Sequence, residues 1–235
     1  NRVARPRTIT DERLLTATGA VIEQAGPGFT LAQVAREADV AVGSVAQRFG
    51  SKAGLLRALM EQGRTRAVER MRTAADAADS AESAVRAALL AVFGGIDAAG
   101  ESGAANHLAQ LGTDLADPQL RGLLGLHYAA LRQELSGLLR AAATADECCG
   151  PDPDVAARVL LSAVNGAALD WSLRPGDDTG SDDAGSDHTA AENHTAADHT
   201  ASATPASATG EAGGKPVLRA CLTEIIDVIM KGWLP

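Results

Sequence analysis

The chain has 235 residues, 46% of them hydrophobic, with 21 Lys/Arg against 30 Asp/Glu and a formal net charge of −9. That length suits one small head plus a larger domain with an ample core, and the acidic balance taken alone argues against nucleic acid. Three cysteines (Cys148, Cys149, Cys221) give no disulfide framework and no two-residue metal or redox spacing, and the absence of a long apolar run or signal-peptide core points to a cytoplasmic protein with no membrane role.

Arg2, Arg5 and Arg7 form a short basic arm, and Thr10 caps a helix over about 11–25 with Leu14, Leu15, Val21 and Ile22 on its apolar stripe. Gly26-Pro27-Gly28 ends it, because glycine accepts a left-handed cap and proline cannot continue a helix. Thr30 and Gln33 stand at the spacing of a capping box, and Leu31, Val34, Ala35 and Ala38 recur at helical spacing behind them. Asp39 to Gly43 interrupt the pattern. A second short helix resumes at Ser44–Phe49, with Val45 and Phe49 four apart and Gly43, Ser44, Gln47 and Arg48 turned away from them. Such a helix packs by one face and offers hydrogen-bonding groups by the other, as a recognition helix in a helix-turn-helix does. Ser51 caps a fourth helix that runs through Leu55, Leu56, Leu59 and Met60 to about Arg72.

From about 80 to 174 the pattern is helical throughout, and no useful stretch alternates with period two, so the fold class is all-α. Val85, Leu89, Val92, Phe93 and Ile96 mark one helix, and Ala104–Leu111 a short one. Asp117-Pro118 starts a long helix, and Asp152-Pro153 starts another that carries Val155, Val159, Leu160, Val164 and Trp171. Residues 175–216 have no Leu, Ile, Val or aromatic residue, have nothing to bury, and read as a disordered acidic insertion. Its His188, His194 and His199 lie near carboxylates, but spacings of six and five hold no helix face, so no metal site is expected. A final helix follows over Val217–Leu234.

Charge is divided unevenly. Residues 1–72 hold 12 Lys/Arg against 7 Asp/Glu, and the rest hold 9 against 23, so a basic head sits on an acidic body. The segment Thr30–Leu56, T-L-x-x-V-A-x-x-A-x-V-x-x-G-S-V-x-x-R-F-x-S-K-x-x-L-L, resembles the DNA-binding region of the TetR (tetracycline repressor-like) family of bacterial transcription regulators. Ala46 departs from the pattern: the family usually carries an aromatic there, which commonly contacts a phosphate. The resemblance implies a helix-turn-helix domain over 1–50, followed by the start of the connecting helix over 51–72, and a ligand-binding and dimerisation domain over 73–235. The DNA-facing residues are then Arg5, Arg7, Thr30, Val42, Gly43, Ser44, Gln47, Arg48 and Lys52. Ser44 and Gln47 suit base edges, Arg48 suits guanine or phosphate, and Lys52 suits phosphate.

No catalytic constellation is present: there is no phosphate loop, nucleophile elbow or H-E-x-x-H pair, and no cofactor is implied. His107 and His127, with Tyr128, Gln110, Asn165 and Trp171, are the polar candidates for lining an effector cavity. Phe93, Ile96, Leu108, Leu111 and Leu131 are candidates for its apolar wall, against the ordinary alternative of core packing. The implied protein is a homodimeric, ligand-responsive repressor on a near-palindromic double-stranded operator. The alternative is a small-molecule or metal-binding protein whose head has lost DNA binding, motivated by Ala46 and the acidic insertion.

Overall fold

The computed structural model describes residues 10–94, 100–145, 150–174 and 217–233. Arg5, Arg7, Ile96, Cys148, Cys149 and the 175–216 insertion lie outside the described residues. The described chain forms nine α-helices: α1 (Asp11–Ala25), α2 (Leu31–Glu37), α3 (Val42–Phe49), α4 (Lys52–Asp76), α5 (Ala81–Phe93), α6 (Gly100–Ala116), α7 (Pro118–Thr144), α8 (Pro153–Leu173) and α9 (Leu218–Lys231). Among the described residues there is no strand, and no helix is long and apolar enough to cross a membrane.

Helix starts are written in side chains. Thr10, Ser51 and Ser80 each accept from the backbone N–H three residues on, and the Asp117 and Asp152 carboxylates cap helices whose first residue is proline. Thr30 and Gln33 close the expected capping box: Thr30 Oγ1 accepts from Gln33 N at 3.3 Å, and Thr30 N donates to Gln33 Oε1 at 2.8 Å. The bend between α2 and α3 is set by Asp39, which takes φ 54°, a left-handed conformation that a short polar side chain tolerates better than most. α3 then ends on Gly50 at φ 75°.

Two hydrophobic interiors result. The first is built from Leu14, Val21 and Ile22 of α1, Phe29, Val34 of α2 and Val45 of α3, closed by Leu55 and Leu56 of α4 and by Leu120 at the start of α7. The second gathers Val85 and Leu89 of α5, Leu131 and Leu135 of α7, Leu160 and Val164 of α8, and Leu222 and Ile226 of α9. Each fully buried Leu, Ile or Phe stabilises its interior by about 1.5–3 kcal/mol. α4 belongs to both: Leu55 and Leu56 sit in the first interior, Ala67 and Met71 in the second. The start of α4 is wedged so tightly under α3 that a Cβ on Gly54 would stand 2.0 Å from the Phe49 carbonyl oxygen.

Candidate nucleic-acid interface and effector region

α3 is short because its two structural tasks are short. Val45, fully buried, and Phe49, half-buried, hold it to the first interior, and Gly50 stops it after two turns. The other side is open. Gly43, Gln47 and Arg48 are exposed, Val42 is 45% exposed, and Ser44 is half-buried. Ser44, Gln47 and Arg48 line one surface depression together with Leu14 of α1. An amide and a hydroxyl on the exposed side of a two-turn helix are groups that pair with base edges in a major groove. The Arg48 guanidinium forms an ion pair with Asp11 at the start of α1, both side chains being about half exposed. Thr30 is exposed, with its hydroxyl engaged by the capping box.

Lys52 takes a different position from that of a phosphate ligand reaching into solvent. Its Nζ donates to the carbonyl oxygens of Pro27 (2.5 Å) and Phe29 (2.7 Å) and lies 4.1 Å from the centre of the Phe29 ring. Partial burial pushes its ammonium below the usual lysine range. The ammonium therefore ties the start of α4 to the loop between α1 and α2, and so fixes the floor on which α3 rests.

In the second interior, Phe93, Leu131 and Trp171 are buried within the apolar cluster. Tyr128 packs against that cluster, its hydroxyl donating to Asn165 Oδ1 at 2.6 Å, while Asn165 Nδ2 donates to the Leu161 carbonyl at 2.6 Å. His127 lies edge-on to Tyr128, ring centres 5.6 Å apart. Burial holds the imidazole below its ordinary range, and the positive charges of Arg70 and Arg64 on α4 push it the same way. Phe93, Leu131, Tyr128, Asn165, Trp171 and His127 thus occupy one region. His107 does not join them: it is exposed on α6, with Nε2 3.7 Å from Glu23 Oε1 of α1. Leu111, also on α6, is half-buried.

Beside His107 and Gln110, α6 carries two polar residues that sequence reasoning missed, Asn106 and Asp114. Asn106 Nδ2 donates to the Glu23 carbonyl at 2.8 Å, and Gln110 Nε2 donates to Asp114 Oδ1 at 2.7 Å. Gln110 and Asp114 are both buried, the Gln110 side-chain carbonyl has no donor among the described residues, and burial raises the Asp114 carboxyl. Asn106 also fills the space beside Gly26, where a Cβ would stand 2.8 Å from its Oδ1. The available signal was the four-residue spacing of Asn106, Gln110 and Asp114, a polar row along a helix whose apolar residues were read first.

Comparison with known proteins agrees with this geometry. Residues 14–59 match the sequence family described as bacterial regulatory proteins, tetR family. No curated protein matches the chain. Among solved structures, SmeT, the repressor of the Stenotrophomonas maltophilia multidrug efflux pump SmeDEF, is 16% identical, with 97% of this chain and 92% of that chain covered and a TM-score of 0.61. A transcriptional regulator from Rhodococcus sp. Rha1 is 20% identical, with 96% and 98% covered and a TM-score of 0.62. The transcriptional regulator FadR from Bacillus subtilis, in complex with stearoyl-CoA, is 16% identical, with 95% and 99% covered and a TM-score of 0.63. At these identities the likeness is one of fold.

Proposed function

We infer, from the match of residues 14–59 to the family described as bacterial regulatory proteins, tetR family, that the protein is a homodimeric transcriptional repressor, released from its operator by a small molecule bound in the larger helical domain. The observation that carries this reading is α4, one helix with its first turn in the interior beneath α3 and its middle turns in the interior around Phe93, Leu131 and Trp171. Any rearrangement of the second interior that moves Ala67 and Met71 moves Leu55 and Leu56 too, and with them the angle of α3.

Residues 1–50 serve as the DNA-binding domain and 73–235 as the effector and dimerisation domain. Ser44 and Gln47 read base edges, Arg48 reads guanine or holds phosphate, and Arg5 and Arg7 add phosphate contacts. Dimerisation is supported by the apolar residues left in solvent on the last two helices. Val155, Val159, Leu169 and Leu173 of α8 are 39–72% exposed, and Val228 of α9 is 66% exposed. A two-fold axis through that surface would place two heads on half-sites roughly 34–36 Å apart, or a multiple of that spacing, and call for a near-palindromic operator. The effector lies near Tyr128, Asn165 and His127, where an apolar or aromatic compound with one or two polar groups meets both kinds of contact.

The test is a mobility shift on the promoter beside the protein's own gene, followed by thermal-shift screening for an effector and titration of that compound with and without operator. A coupling of about 1–3 kcal/mol weakens DNA binding about 5–150-fold, and the operator must weaken effector binding by the same factor. Equal effector affinities in the two titrations would overturn ligand control. Failure to shift any DNA would leave a small-molecule-binding protein with a silent head.

A further inference from the structure

The exposed side of α3 is not uniformly polar. Val42, the first residue of the helix, is 45% exposed and takes no part in the interior that Val45 and Phe49 build. A β-branched residue in an exposed first turn adds nothing to helix propensity that alanine would not exceed. The fold does not ask for it. One turn on stands Ala46, half-buried and bare of any polar atom. Between them, Gly43 is exposed, and a Cβ built there would meet nothing within 4 Å. The amino-terminal flank of the helix is therefore a small apolar ledge with unobstructed backbone beside it, next to the polar pair Ser44 and Gln47.

We propose that this ledge is a thymine reader: Val42, assisted by Ala46, contacts the C5-methyl group of one thymine in each half-site and thereby distinguishes thymine from cytosine at that position. The chemistry follows from what the side chains lack. Neither Val42 nor Ala46 carries a donor or an acceptor, so neither reads the hydrogen-bonding edge of any base. The one feature of a major-groove edge that an apolar side chain recognises is the thymine methyl. Gly43 lets the helix come close enough for that contact, because no side chain stands between its backbone and the groove. The proposal rests on the DNA-binding reading above and adds to it which base is selected and by what contact.

The experiment uses the full-length protein. An operator is first enriched from a pool of random duplexes, and each thymine of the enriched sequence is then replaced singly by deoxyuridine. That exchange removes the methyl group and leaves base pairing intact. One position per half-site is expected at which uracil weakens binding about three- to fivefold, the worth of one buried methyl group. Val42→Ala should weaken binding to the thymine operator by a similar factor, bind the uracil operator as the wild type does, and leave the melting temperature unchanged. Val42→Thr, which keeps one branched methyl, should retain part of the discrimination. An enriched operator with no uracil-sensitive position would overturn the proposal and leave the DNA-binding reading standing. So would a Val42→Ala protein that still separates thymine from uracil as strongly as the wild type. Failure to enrich any sequence would overturn both readings.

Discussion

The two interiors joined by α4 are closed in different ways. The one under α3 is small and made from short helices, and its shape is dictated by backbone: a left-handed Asp39, a left-handed Gly50, and a Gly54 with no room for a side chain. Its buried hydroxyl, Thr18, is satisfied within its own helix by the Leu14 carbonyl at 2.7 Å. The other region is made from long helices and carries polar pairs that cross between them. Tyr128 depends on Asn165 across two helices, and the buried Ser136 of α7 bonds to the exposed Asp154 of α8. The head is thus shaped by backbone geometry and the other region by polar pairs that cross between helices, a division that suits the reader and effector roles proposed for them.

The largest expected effects come from unloading each interior in turn. Leu55→Ala and Leu160→Ala both remove a side chain with no exposed surface, and each should cost about 2–5 kcal/mol. Their consequences differ. Leu55→Ala should abolish operator shifts while sedimentation still reports the dimer, because the second interior and the α8–α9 surface are untouched. Leu160→Ala should lower the melting temperature and weaken dimerisation along with DNA binding. A Leu55→Ala protein that sediments as monomer would show that the two interiors do not melt separately.

Much of this division was legible in the sequence, because helix starts and stops are local chemistry. Thr10 and Ala25 bound α1 as the capping and Gly-Pro-Gly signals require, the Thr30/Gln33 box is formed, and Asp117-Pro118 and Asp152-Pro153 open α7 and α8. α6 was read too short, at Ala104–Leu111 against Gly100–Ala116, because its buried side includes Gly103, Gln110 and Asp114 and gives no apolar stripe to extend. Positions set by tertiary contact were not legible. Nothing local to Lys52 says that its ammonium lies on two carbonyls more than twenty residues earlier, or that His107 faces Glu23 of α1 in place of the interior. Val155 and Val159 share the apolar character of Leu160 and Val164, yet the first two lie in solvent and the last two do not have any exposed surface. Periodicity marks which residues are apolar, while the neighbouring helices decide which side of a wide stripe is covered.

Lys52 sharpens the comparison at intermediate cost. If its ammonium braces the loop beneath α3, Lys52→Met should lower the stability of the head by about 1–2 kcal/mol, the range for hydrogen bonds to a charged group after allowing for its partial exposure. DNA affinity should fall with it through the displaced floor of α3. The slope of affinity against salt should stay close to that of the wild type, because an ammonium already held by carbonyl oxygens releases few counterions. A slope smaller by about one unit would instead assign Lys52 to a phosphate.

The smallest effect is one of pH and belongs to the second region. His127 is half-buried, and both burial and the charges of Arg70 and Arg64 hold its folded-state pKa below the ordinary 6.5. The sign follows directly. On acidification the unfolded chain binds this proton first, so stability is retained above about pH 6.5 and lost as the pH falls from there through the lowered folded value. Asp154, also held low by its bond to Ser136, contributes in the same direction, but only below the carboxylate value of 3.8. Asp114, raised by burial, contributes in the opposite direction above 3.8, where its protonated form favours the native state. A simple acid titration of melting temperature therefore mixes opposing contributions, and His127 has to be isolated by difference. His127→Gln keeps a polar side chain of similar reach and cannot charge. The gap in melting temperature between wild type and His127→Gln should be constant from pH 7 to 8 and should shift against the wild type below about 6.5. Parallel curves down to pH 5 would show that the imidazole is as easily protonated in the folded protein as in the unfolded chain, against the lowering by burial and by Arg70 and Arg64.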